Sequence, residues 1–266
     1  MAITEPTTGL AGDKPVLLLV EDNDDMATYI KACVQDDYQV LWAENGQTGI
    51  ELALEKVPDL ILSDVLMPKK DGFQLCETLK NDQRTSHIPI VLLTAMASVS
   101  DKISGLQHGA DGYLAKPFQR EELTVVLANL LQSRRLLQLH YSRLALGNQA
   151  DNALDESLEA QFLHKLRSAI EGQLDNPHLS IGDVCQLIGM GRTSLYLKMA
   201  ALTGMSINKY VRSLRLSRAR ELLLASTLNI SEVAYAVGFE DPKYFSRVFS
   251  KEFGITPGNF RLLNRG

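Results

Sequence analysis

The sequence predicts a doubly wound α/β domain on a five-stranded parallel sheet, followed by an all-α domain. Three observations predict it. In roughly the first 135 residues, short β-rich apolar runs alternate with helical periodicities, the pattern of repeated βαβ units. After about residue 160 the strand signal stops, and helical patterns punctuated by Gly and Pro take over. Charge divides the same way. Residues 1–135 hold 12 Lys and Arg against 20 Asp and Glu, a net of −8, whereas residues 178–266 hold 12 against 6, a net of +6. An acidic half joined to a basic half points to a polyanionic partner for the second, although solvated surface charge could give the same split.

The 266 residues suffice for two domains. A composition 45% apolar and 22% charged is that of a soluble globular protein, and no apolar run approaches the roughly 18 residues of a membrane span. The opening MAITEPTTGLAGDKP lacks the basic start and apolar stretch of a signal peptide. Cys33, Cys76 and Cys185 are odd in number and have neither metal nor disulfide spacing. The expectation is a reducing, cytoplasmic setting with no membrane partner.

The elements follow in order. Strands are expected at 15–20 (PVLLLV), 38–43 (YQVLWA), 58–63, 88–94 (IPIVLLT) and 112–116 (GYLAK), with helices near 25–36, 46–56, 72–82, 99–109 and 119–135. Between 136 and 159 the periodicity weakens into acidic DNALDESLEA, read as a linker. Helices are then expected at 158–174, 180–189, 193–203, 206–224, 230–237, 242–253 and 257–263. Within them SIGDVCQLIGM (180–190) lies without a gap over NISEVAYAVGF (229–239), 49 residues on. Each copy is followed by a second helical stripe: Leu195, Met199 and Leu202, then Phe245, Phe249 and Phe253. Two helix-turn-helix units joined by one long helix are the simplest reading. Cys185 and Ala234, each four residues before a glycine (Gly189, Gly238), are expected as small buried residues where helices pass closely around a tight turn.

Three carboxylates stand at predicted strand ends: Glu21 and Asp22 after PVLLLV, and Asp64 after DLILS. Two further strand ends carry Thr94 and Lys116. A doubly wound sheet gathers such ends on one edge. Three crowded carboxylates repel unless a cation sits among them, and hard oxygen donors suit Mg²⁺. A lysine opposite could neutralise a transferred phosphoryl group, which makes Asp64 a candidate nucleophile. Singly, each residue has a plainer reading. Glu21 and Asp22 could decorate a helix N-terminus, and Lys116 could lie along the surface.

VEDN (20–23), SDVLMPKKDG (63–72), TA (94–95) and DGYLAKPF (111–118) match, in order and spacing, the receiver domain of two-component response regulators, so that residues 14–135 resemble that family. The resemblance implies a flavodoxin-like fold in which Asp64 accepts a phosphoryl group from a sensor histidine kinase. It implies Mg²⁺ held by Glu21, Asp22, Asp64 and the backbone carbonyl of Leu66. Thr94 and Lys116 would contact the phosphoryl oxygens, and Tyr113 would move inward as the switch aromatic. It also implies a cis Lys116–Pro117 bond and homodimerisation on phosphorylation, through the helices near 99–109 and 119–135. Two residues beyond Asp64 and Thr94 stand Leu66 and Met96, neither able to orient a hydrolytic water, so a long-lived aspartyl phosphate is expected.

In PKYFSRVFSKEF (242–253) the apolar stripe leaves Lys243, Ser246, Arg247 and Ser250 facing outward, with Asp241 a cap and Pro242 at the first helical position. Arg212, Arg215, Arg218 and Arg220 on the connecting helix suit phosphate contacts, although some could cover apolar surface or pair with Glu221. NISEVAYAVGF followed by DPKYFSRVFSKEFGITP resembles the AraC-type DNA-binding domain over about 160–263. The resemblance implies two helix-turn-helix units in successive major grooves. Leu197 and Ala200 stand where relatives commonly carry Arg and Lys, and lying off the stripe they are expected to be exposed. The first unit would then rely on Arg192, Thr193, Tyr196 and apolar contact.

The expectation is a phosphorylation-controlled DNA-binding regulator whose only catalysis is its own phosphoryl transfer and dephosphorylation. Rivals are an aspartate-nucleophile phosphatase, which needs a second Asp where Leu66 stands, a phosphorelay intermediate whose helical half binds protein, and the output portion of a hybrid sensor kinase. The start at Met1 and the loose 13-residue lead favour a free regulator.

Overall fold

The computed structural model describes residues 14–95, 109–146 and 157–264. The chain divides into two compact units, the first carrying the sheet and the second most of the helical repeat. The strands are β1 (Val16–Val20), β2 (Gln39–Ala43), β3 (Leu60–Asp64), β4 (Ile90–Thr94) and β5 (Gly112–Ala115). They pair in parallel in the order β2-β1-β3-β4-β5. Helices α1 (Asp24–Val34), α2 (Gly46–Lys56), α3 (Gly72–Asn81) and α4 (Arg120–Ala145) accompany them. The helix expected at 99–109 and the residue Met96 lie outside the described residues, apart from Gly109.

Both sheet faces are covered. Leu17, Leu19, Leu60 and Leu62 pack with Ala27 and Ile30 of α1 and Leu123 and Leu127 of α4. Leu18, Val20, Ile61 and Ile90 pack with Ile50 and Ala53 of α2 and Leu75 and Leu79 of α3. Strands buried on both faces read as unbroken apolar runs, which is why these were legible without alternation. Each such side chain contributes roughly 1.5–3 kcal/mol by burial. Asn23, Asn45 and Asp71 cap α1, α2 and α3 by accepting the backbone N–H groups of Met26, Thr48 and Gln74. Gly72 must be glycine, because a Cβ there would stand 2.3 Å from the Asp64 carbonyl oxygen.

Register fixes the functional edge. Val20 pairs with Ala43 and Ser63, Asp64 with Leu93, and Thr94 with Ala115. Glu21, Asp64, Thr94 and Lys116 therefore leave the sheet side by side at its carboxyl end.

One boundary differs from the sequence reading. The helix expected to close at 135 runs on to Ala145, so the first part of the 136–159 segment is helix rather than linker. Leu136, Leu137 and Leu139 stand exposed there, and no one-sided apolar stripe announces the helix; good helix formers sustain it instead. Residues 147–156 lie outside the described residues.

The helical repeat comprises α5 (Leu158–Glu171), α6 (Ile181–Ile188), α7 (Arg192–Thr203), α8 (Ile207–Ala225), α9 (Ile230–Ala236), α10 (Pro242–Phe253) and α11 (Pro257–Asn264). The pairs α6–α7 and α9–α10 are joined by α8. Ser180 and Asn229 occupy equivalent places as N-caps with reciprocal capping boxes. Leu216, Ala219 and Leu223 of α8 pack against Val233, Ala234, Phe245 and Phe249. Two details depart from the close-packing expectation. Cys185 is only half-buried, whereas Ala234 is fully buried. Gly189 ends α6 at φ +72° with nothing near an added Cβ, so it serves a left-handed turn and no close pass. Gly238 does serve one: at φ +80° an added Cβ would lie 2.3 Å from the Leu174 carbonyl oxygen. Among the described residues, no helix is long and apolar enough to cross a membrane.

Candidate functional site

At the carboxyl edge of the sheet, ligating oxygens of Glu21, Asp22 and Asp64 lie within 4.8 Å of one another. Lys116 Nζ stands 2.9 Å from Glu21 Oε2 and 3.0 Å from Asp64 Oδ2. Glu21, Asp64 and Thr94 are buried, while Asp22 faces solvent. Asn23, not either acid, caps α1, so the acidic pair is left for the pocket. Glu21 Oε1 accepts the N–H of Asn23, and Asp64 Oδ1 accepts the N–H of Val65.

Burial pushes the Glu21 carboxyl above its ordinary range; the hydrogen bond from Lys116 opposes this and the charge of Asp64 adds to it. Burial alone would lower Lys116, yet its hydrogen bonds to Glu21 and Asp64 outweigh that and hold the ammonium above its usual value. Three carboxylates against one ammonium leave the pocket in want of positive charge. The hard oxygen donors and their close spacing fit Mg²⁺.

Of the other expected residues, Thr94 stands on this edge, and Tyr113 lies two residues farther back along β5. Thr94 ends β4, and its carbonyl accepts the N–H of Lys116 at 2.7 Å. The Lys116–Pro117 peptide is cis. Tyr113, on β5 beside Leu92, buries a hydroxyl that has no partner among the described residues, and burial pushes its pKa up to about 12. Leu66, two residues beyond Asp64, is 66% exposed.

Trp42 was not singled out from the sequence. Its indole Nε1–H donates to the Glu21 carbonyl at 3.0 Å, and Lys31 Nζ lies 3.7 Å from the ring centroid. The only sequence signal was its being the one Trp of the chain, near the end of an expected strand.

In the helical repeat the expected DNA-facing residues sort unevenly. Arg192, Thr193, Arg212, Lys243 and Arg247 are exposed, and the guanidinium groups of Arg192 and Arg247 lie 5.9 and 5.3 Å from the rings of Tyr196 and Tyr244. Tyr196, Ser246 and Ser250 are half-buried, and the Ser250 hydroxyl turns back to the Ser246 carbonyl, as serine does inside helices. Leu197 and Ala200 are half-buried, not exposed, because the buried surface of α7 is wider than its three-residue stripe. Arg215 departs furthest. Its Nη2 donates to the Asn176 carbonyl at 2.7 Å and packs beneath Gly238, so the guanidinium points inward and ties the segment before α6 to the turn after α9. Burial lowers its pKa. Arg218 pairs with Glu221 at 2.6 Å, and Arg220 lies over the ring of Phe253, both being the plainer roles open to them.

Comparison with known proteins bears on both halves. The family model described as a response regulator receiver domain matches residues 17–128, and one described as a helix-turn-helix domain matches residues 184–262. The chain joins a response regulator receiver to an AraC-type helix-turn-helix domain. Its similarity to Histidine kinase P4 of Formosa agariphila is 37% identity over 94% of this chain but 18% of that protein. With Response regulator Rre1 of Synechocystis it shares 31% identity over 60% of this chain and 65% of that one. It thus spans less than two thirds of either relative. The solved receiver of a sensor histidine kinase from Pseudomonas aeruginosa, which holds magnesium in its cleft, is 33% identical with a TM-score of 0.43, covering 45% of this chain and 98% of that one.

Proposed function

We propose that this receiver accepts a phosphoryl group on Asp64 from a sensor histidine kinase and thereby controls DNA binding by the helix-turn-helix units. The observation carrying this reading is the single edge where Asp64, Lys116 and the acidic pair meet, in a chain that also bears two helix-turn-helix units. Glu21, Asp22, Asp64 and the Leu66 carbonyl would hold Mg²⁺, which when bound supplies the charge that neutralises phosphoryl oxygens. An Asp64 carboxylate oxygen attacks phosphorus, the P–N bond of the kinase phosphohistidine breaks, and the imidazole nitrogen leaves with the electron pair. Lys116 must give up its Asp64 contact to reach the incoming phosphoryl oxygens, and the Thr94 hydroxyl supplies a further hydrogen bond. Tyr113, with its buried hydroxyl, is the aromatic that follows Thr94 and alters the receiver surface. No other chemistry is assigned to the chain.

Arg192, Thr193 and Tyr196 of α7 and Lys243 and Arg247 of α10, with Arg212 between them, make up the DNA-contacting set, and Ser246 and Ser250 take minor parts. Phosphorylated chains pair as homodimers, and the setting is cytoplasmic. The direct test is incubation with Mg²⁺ and acetyl phosphate, read by phosphate-affinity electrophoresis. Wild type is expected to shift and Asp64→Asn to stay unshifted; a shift in both would overturn the assignment.

The similarity to Histidine kinase P4 over 94% of this chain supports a second reading, in which the same two modules form the output end of a hybrid sensor kinase. An immunoblot of the native protein separates them by size, about 29 kDa against a far larger band.

A further inference from the structure

Glu21 is held at its backbone by β2 from two directions. Its N–H donates to the Ala43 carbonyl at 3.1 Å, as an extension of the β1–β2 ladder. Its carbonyl accepts the indole Nε1–H of Trp42 at 3.0 Å, a bond from a side chain in the neighbouring strand. The ring that makes this bond is itself held: Lys31 Nζ lies 3.7 Å from its centroid, and Lys31 belongs to the helix that begins just after Asp22. Lys31 lies in the last turn of α1, so this contact seats the ring against that helix, while the indole N–H alone reaches the β1–α1 connection, at the strand exit. The connection carries two of the three carboxylates whose oxygens cluster within 4.8 Å. A peptide unit free to rotate at Glu21 would turn Asp22 relative to Asp64, and a small, strongly hydrated cation tolerates little misplacement of its donors.

We infer that Trp42 is a positioning residue of the acidic pocket: its indole N–H sets the aim of Glu21 and Asp22 and so raises the affinity of the pocket for a divalent cation. The inference rests on the reading of this pocket as a Mg²⁺ site. Trp42 touches neither ion nor phosphoryl group, and it acts through the Glu21 carbonyl alone. Loss of one neutral hydrogen bond corresponds to a three- to tenfold loss in affinity, about the scale of a single net hydrogen bond.

The test is calorimetric titration of MgCl₂ into the full chain, alongside thermal unfolding. Trp42→Phe, which keeps an aromatic ring and removes the donor, is expected to bind Mg²⁺ three- to tenfold more weakly with its unfolding midpoint nearly unchanged. Since the chain has one Trp, residue-wide replacement with the benzothiophene analogue of tryptophan alters position 42 alone. That analogue keeps the ring's shape, lacks the N–H, and decides the matter if Trp42→Phe fails to fold; the same weakening is expected. Saturable binding to wild type with unchanged affinity in the analogue protein would overturn the role of Trp42 and leave the metal reading standing. Absence of saturable Mg²⁺ binding by wild type, or binding unaffected by Asp64→Asn, would overturn the metal reading itself.

Discussion

Lys116 reaches across the carboxyl edge of the sheet to stand 3.0 Å from Asp64, while the same ammonium is 2.9 Å from the buried Glu21. One cation thus serves two carboxylates from different strands. Replacing it by Met leaves Glu21, 1% exposed, with a desolvated carboxylate and no counter-charge. Lys116→Met is expected to lose about 2 kcal/mol of stability in magnesium-free buffer, the scale of a charge-assisted hydrogen bond removed from a partly buried pair. Added Mg²⁺ should restore part of it. Urea unfolding with and without MgCl₂ measures both.

The exposed Leu66 side chain gives no hydrogen bond to a water approaching Asp64. The aspartyl phosphate is expected to last minutes or longer with Mg²⁺ present, and Leu66→Asn to shorten its half-life several-fold. Labelling followed by removal of the phosphodonor gives the decay; loss within seconds in wild type would contradict this.

Arg212 and Arg215 lie three residues apart on α8 and should behave oppositely. Arg212 is exposed, and Arg212→Ala should weaken DNA binding and lower the slope of log affinity against log salt by about 1. Arg215 holds the Asn176 carbonyl, so Arg215→Ala should cost roughly 1–3 kcal/mol of folding stability and leave the salt slope of the folded protein intact. Fluorescence anisotropy across a salt series, with thermal unfolding beside it, separates them.

These two arginines mark where sequence reading reaches its limit. Strands β1, β3 and β4 were legible because burial on both faces demands unbroken apolar runs, and Glu21, Asp64, Thr94 and Lys116 were legible because strand ends share an edge. Nothing local distinguishes Arg212 from Arg215: charge is written in the sequence, and the direction of a guanidinium is decided by the Gly238 turn that closes over it. Trp42 escaped for the same reason, since its partner is a backbone carbonyl on a neighbouring strand. The continuation of α4 to Ala145 escaped because its exposed leucines break the one-sided pattern by which helices are recognised.

Burial pushes the Cys76 thiol from 9.0 to about 11. A folded-state value raised above the unfolded one contributes stability that is fully present below pH 9 and lost as pH rises through about 11. Wild type should therefore lose about 1.5 kcal/mol more than Cys76→Ala between pH 8.5 and 10.5, as roughly 1.4 kcal/mol corresponds to each pKa unit. Urea unfolding at the two pH values checks it.

The central claim is that phosphorylation of Asp64 governs DNA binding, and the affinity of the full chain for a genomic fragment it enriches tests that most directly. Anisotropy titrations at fixed salt would compare wild type and Asp64→Asn, each with and without acetyl phosphate and Mg²⁺. The account predicts a tightening of at least about fivefold for wild type alone, the lower end of usual coupling between sites. Equal affinity of phosphorylated and unphosphorylated wild type, or an equal response in Asp64→Asn, would contradict it.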